Sequence, residues 1–174
     1  MKKAQLLSQP FFWIFAIVVM GIILIFSWNA IRDLVGFGEK VGTVKLIEDI
    51  KNEVEEIAKS FPGTSIECAL TRRAGSSDNE CEIIAPSDLK GMCFVDTNSP
   101  VDFSKIEFKN VKEEVQVVQG TGDRNVFFAT IKNPIDSIYI NKLKPKEHFC
   151  LNIQQGMKKF ILENKGKFVE IRKS

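Results

Sequence analysis

The stretch AQLLSQPFFWIFAIVVMGIILIFSWNAI, residues 4–31, decides how the rest of the chain is read. Its 28 residues include no Asp, Glu, Lys or Arg, and residues 11–26 are apolar throughout apart from Gly21. At 1.5 Å rise per residue, segment 11–28 would cover roughly 27 Å, close to the hydrocarbon thickness of a bilayer. The stretch therefore predicts a transmembrane helix over 10–35. Pro10 fits a first helical turn, and Trp13 and Trp28 fall near the two ends, where indoles favour the headgroup zone. Lys2 and Lys3 flank one side, Arg32 and Asp33 the other. A buried core helix would need a domain able to cover it on every face, more than the remaining, mostly polar residues supply.

What lies beyond the helix is one ordinary domain. The chain has 174 residues and a net charge of +2, and outside Lys2, Lys3, Arg32 and Asp33 the charges balance, so no global field points to nucleic acid. Residues 142–174 hold nine Lys or Arg against three Glu, which reads first as solvated strand faces. The four cysteines, Cys68, Cys81, Cys93 and Cys150, contain no C-x-x-C pair. With His148 they offer zinc-compatible ligand types without the knuckle spacing, so two disulfides are expected and no metal. Disulfides require an oxidising compartment, which places the domain outside the cytoplasm with the N-terminus inside.

Gly36, Gly38 and Gly42 predict a hinge, because each glycine weakens a helix by about 1 kcal/mol relative to Ala. Ile47, Ile50, Val54, Ile57 and Phe61 then recur at steps of three and four, the seam of an amphipathic helix. Packing of that seam on the chain's own domain is the default; pairing with a second copy competes. Pro62 and Gly63 end the helix.

Residues 65–70 and 80–85 read as strands flanking a polar turn centred on Ala74 and Gly75, which brings Cys68 opposite Cys81 and leaves Cys93 for Cys150. Three connectivities stay open. Further strands are expected over 105–109, 113–118 and 125–132, the last two joined as a hairpin across Gly120 and Gly122. Residues 138–140 form a short strand, and 149–153, 158–163 and 167–172 a meander. The fold class is α+β: an N-terminal transmembrane helix plus an amphipathic helix, followed by a mainly antiparallel β domain. The segments are 1–9 (cytoplasmic N-terminus or leader), 10–35 (transmembrane helix), 36–61 (hinge and amphipathic helix) and 62–174 (extracytoplasmic β-rich domain).

Lys3, Ala4, Gln5 and Leu6, directly ahead of an apolar helix, resemble the class III signal peptide of archaeal type IV pilin-like proteins. The resemblance is confined to the N-terminal leader and helix, and Gln9 stands where pilins often carry Glu. It implies cleavage between Ala4 and Gln5, and a hydrophobic helix retained for packing with copies of itself in a filament core. Phe11, Phe12, Phe15, Val19, Ile22 and Phe26 would be the contact residues.

No catalytic constellation appears. His148 is the one histidine, there is no G-x-S-x-G, the carboxylates are scattered, and no phosphate loop follows a strand. Phe127 and Phe128 must point to opposite faces of a strand, either into a two-sided core or with one ring at a contact surface. The expected function is that of a membrane-anchored cell-surface structural or interaction protein, a pilin-like subunit. Its partners would be a lipid bilayer and copies of itself or other pilin-like subunits, with no cofactor, nucleic acid or small-molecule substrate. The alternative is a solitary single-pass membrane protein with an extracellular binding domain.

Overall fold

A computed structural model describes the backbone of residues 8–72, 75, 81–132 and 134–174, and their side chains except those of 8–11 and 29–40. The leader positions Ala4 and Gln5 lie outside the described residues. The chain divides into two compact units, Met1–Lys40 and Val41–Ser174.

Helix α1 runs Ser8–Lys59. It continues through Gly36, Gly38 and Gly42, so the expected hinge is not a break in the helix. A glycine costs about 1 kcal/mol in a helix, which good helix formers such as Glu39 and Lys40 offset. At Gly42 the missing side chain has a use: a Cβ there would sit 3.2 Å from Pro86 Cβ, so the helix approaches the chain closely at Pro86.

The expectation of a membrane-spanning helix over 10–35 is overturned: among the described residues, no helix is long and apolar enough to cross a membrane. The single-pass assignment, with the N-terminus inside and the C-terminal domain outside, falls with it: the orientation was argued from the cysteines, but it requires a span.

The second unit is α+β. From α1 it buries Leu46, Ile50, Val54 and Ile57, so the seam packs on the chain's own domain. Leu46 takes the place expected of Ile47, which is only partly buried. Phe61 is not part of the seam but 86% exposed, because the helix has ended at Lys59 and Gly63, at φ 93°, turns the chain away.

Five strands form one sheet in the order β2-β1-β7-β8-β5: β1 Ser65–Thr71, β2 Cys81–Ile84, β5 Leu143–Pro145, β7 Lys158–Asn164 and β8 Val169–Lys173. The other three, β3 Leu89–Phe94, β4 Val126–Thr130 and β6 Phe149–Asn152, form an antiparallel sheet in the order β4-β3-β6. Helix α2, Lys109–Val118, follows a single 3-10 turn at Phe103–Lys105.

The three-stranded sheet is buried on both faces. Met92, Phe94, Val126, Phe128 and Leu151 join the α1 seam and Cys68, Leu70, Phe160, Leu162 and Ile171 in the main core. Cys93, Phe127, Ala129 and Cys150 meet Val111 and Val115 of α2 in the second. Phe127 and Phe128 thus point to opposite faces and are both buried, the two-sided arrangement.

Several local expectations fail for identifiable reasons. Residues 113–118 are helix, not strand, so the hairpin across Gly120 and Gly122 does not form; both glycines have positive φ in a turn from helix to strand. Valines at 115 and 117 imitate strand alternation, but burial follows Val111 and Val115, one helical turn apart, while Val117 is exposed. No strand forms over 105–109, where the 3-10 turn leads into α2. Residues 138–140 contribute only a bridge, Val126 to Ile138. β6 leaves the expected meander for the other sheet, so of the three strands expected there only β7 and β8 pair with each other. β5 escaped notice because it is short and contains Pro145, which an edge strand tolerates.

Candidate functional site

In the first unit, the described side chains of α1 present apolar surface all round. Phe12 is 69% exposed, Phe15 64% and Phe26 71%, with Ile22 also exposed and Val19 half-buried. The side chain of Phe11 lies outside the described residues. The remaining members repeat at steps of three and four along one helical face. Trp13, Ile14, Ile17, Met20, Leu24 and Ile25 are exposed around the rest of the circumference.

In the second unit the four cysteines form Cys68–Cys81 and Cys93–Cys150. Each joins directly opposed residues on neighbouring strands. The first pairing was anticipated from an antiparallel hairpin, yet β1 and β2 run parallel. Either direction places Cys68 beside Cys81, so the partner was legible and the strand direction was not.

A carboxylate oxygen of Glu53 and the two sulfurs of Cys68 and Cys81 lie within 4.8 Å of one another. The sulfurs are bonded to each other, leaving no thiolate to ligate a metal. Glu53 is instead a local liability. Burial, then the negative charges of Glu56 and Asp49, push its carboxyl above the ordinary glutamate value of 4.5. The folded chain therefore holds this proton more tightly than the unfolded chain does, and ionisation of Glu53 opposes folding. Glu53→Gln is expected to raise the melting temperature at neutral pH. The advantage should shrink as pH falls through the raised range and vanish below 4.5, measured by thermal melts of both proteins across pH.

His148 is a latch at the start of β6. Its Nδ1 accepts from the Asp96 backbone N–H at 3.2 Å. That contact makes Nε2 the protonated nitrogen, which donates to Pro100 O at 3.2 Å. Four of the nine basic residues of segment 142–174 form ion pairs: Lys144 with Asp96, Lys159 with Glu67, Lys165 with Glu163 and Glu170, and Arg172 with Glu163.

Two clefts meet at Tyr139 and Lys142. One, of about 250 Å³, also takes in Asp96, Asn98, Arg124, Lys144 and Phe168. The other, of about 410 Å³, opens toward Lys51, Glu55 and Lys59 of α1. Sequence reading missed this groove because its residues come from distant segments. Its one distinctive signal was Tyr139, the sole tyrosine.

No protein-family model, no curated protein and no solved structure matches the chain.

Proposed function

We propose that this is a structural, self-associating protein, similar in outline to pilin-like subunits, whose N-terminal helix packs against copies of itself while the disulfide-braced β domain remains available for binding. The observation that carries this reading is the exposure of apolar side chains on every side of α1 over residues 12–28. A helix apolar all round has to be covered, and exposed patches of that extent mark interaction surfaces. A second copy supplies an equally apolar cover, and the 3–4 spacing of Phe12, Phe15, Val19, Ile22 and Phe26 provides a continuous face for it.

The full chain is expected to sediment as an oligomer. Phe15→Glu with Ile22→Glu should weaken association by more than about a hundredfold, since each buried apolar side chain contributes roughly 1.5–3 kcal/mol. A photo-crosslinking phenylalanine analogue at position 15 should couple to the α1 segment of another copy at defined positions. A wild-type chain that sediments as a monomer at micromolar concentration, or crosslinks scattered without preferred position, would refute the reading.

A further inference from the structure

We propose that the groove around Tyr139 and Lys142 binds an acidic saccharide, a chain of sugar rings bearing carboxylates. The first sign is backbone strain. Lys142 has φ 64°, the only positive φ of a non-glycine residue among those described. The left-handed region is unfavourable for an ordinary side chain, and glycine or asparagine would avoid most of the cost. The conformation is enforced by its carbonyl, which accepts from Val169 N at 2.8 Å and so starts the pairing of β5 with β8. Its exposed ammonium has no ion pair among the described residues and stands where the two clefts join.

Charge and shape narrow the ligand. The two clefts carry five Lys or Arg side chains against two carboxylates, Glu55 and Asp96; Arg124 is paired with Glu114 at 3.0 Å, which leaves Lys51 and Lys142 as the cations without an ion pair among the described residues. Asp96 is taken by Lys144 at 3.6 Å, and Glu55 by Lys59 at 3.6 Å. Lys144 also lies 6.0 Å from the centre of the Phe168 ring, so the charged wall has an aromatic backing.

Polar, uncharged groups favour sugar over acidic peptide. The ring of Tyr139 is 52% exposed and offers a flat face to the C–H side of a pyranose. The side-chain amides of Asn98 and Asn141 line the two clefts and make no hydrogen bond among the described residues. An amide both donates and accepts, as a sugar hydroxyl does, whereas a carboxylate only accepts. Asn98 is also held in place, because its amide packs so closely on Gly122 that a Cβ there would lie 2.4 Å from Oδ1.

The test uses the full chain and defined oligogalacturonates, with neutral dextran oligomers and polyglutamate as comparisons, followed by calorimetry. Lys142→Gly removes the ammonium and suits the left-handed backbone, so loss of binding cannot be blamed on misfolding. Tyr139→Ala removes the exposed ring, and Lys173→Ala removes an exposed charge elsewhere. Oligogalacturonate should bind, more weakly as salt rises, and dextran should not. Lys142→Gly and Tyr139→Ala should each weaken binding about tenfold, in line with loss of one charge-assisted bond or one stacking contact, and Lys173→Ala should leave it unchanged. Failure of oligogalacturonate to bind overturns the proposal. So does equal binding of polyglutamate that ignores Tyr139→Ala, which would make the groove a general anion surface. The result is independent of self-association through α1.

Discussion

Replacing Cys93 and Cys150 together by alanine is expected to cost the β domain about 4 kcal/mol, the largest effect of any change proposed for this chain. The bond closes a loop with a sequence separation of 57, and the penalty follows the conformational freedom it removes from the unfolded chain. Cys68–Cys81 closes a separation of only 13, and its removal should cost about 3 kcal/mol by the same reasoning. The bonds also differ in what they hold. Cys93 and Cys150 join adjacent strands of the three-stranded sheet on the face covered by α2, so their loss also loosens the second core. Urea unfolding of the two double-alanine variants, followed by circular dichroism, should rank them in that order. Equal midpoints would show that loop closure is not the governing term.

The second large effect is expected at Asn164, a buried residue at the end of β7. Its side-chain amide donates to Ile57 O at 2.9 Å, which also accepts from Ser60 N–H and the Ser60 hydroxyl, and to Ser60 O at 2.8 Å, just past the last helical residue. Its Oδ1 accepts from Gly166 N at 2.6 Å. One side chain therefore closes the helix terminus and shapes the β7–β8 turn. Asn164→Ala takes the side-chain partner from Ser60 O and Gly166 N and one of three donors from Ile57 O, and should cost about 3 kcal/mol, or roughly 10 °C in melting temperature. Asn164→Asp is the sharper test. The aspartate can still accept from Gly166, but when ionised it turns an anion toward two carbonyls. It should be less stable than Asn164→Ala at neutral pH and recover on acidification, when a protonated carboxyl can donate again. Thermal melts of both variants at neutral and acidic pH decide it, and a pH-independent Asn164→Asp would remove Asn164 from the role of helix cap.

The same residue shows why parts of this fold were hidden in the sequence. Asn164 reads locally as a turn residue, since asparagine followed two positions later by glycine is ordinary turn chemistry. That it also caps a helix ending more than a hundred positions earlier depends on β7 running beside the helix end. Helix α2 was misread for a related reason. Its valines fit a strand or a helix over so short a span, and the outer face of the three-stranded sheet, with Cys93, Phe127 and Ala129 needing cover, settles the choice. The groove at Tyr139 and Lys142 combines α1, the turn after β3 and the edge strand β5, none of which signals the others in sequence.

By itself the sequence determined the features that rest on local pattern. These are a helix over the uncharged stretch, the seam members Ile50, Val54 and Ile57, the stop at Pro62 and Gly63, the strands around the cysteines and the opposite faces of Phe127 and Phe128. Each follows from a period of 3.6 or 2 or from the restricted backbone of one residue, so neighbours in the chain suffice to read it. The tertiary structure alone decided the parallel pairing of β1 with β2, the transfer of β6 to the second sheet and the conversion of 113–118 to helix. Strand direction and sheet membership depend on which distant surfaces must be covered, and an alternating pattern is the same whichever way its neighbour runs.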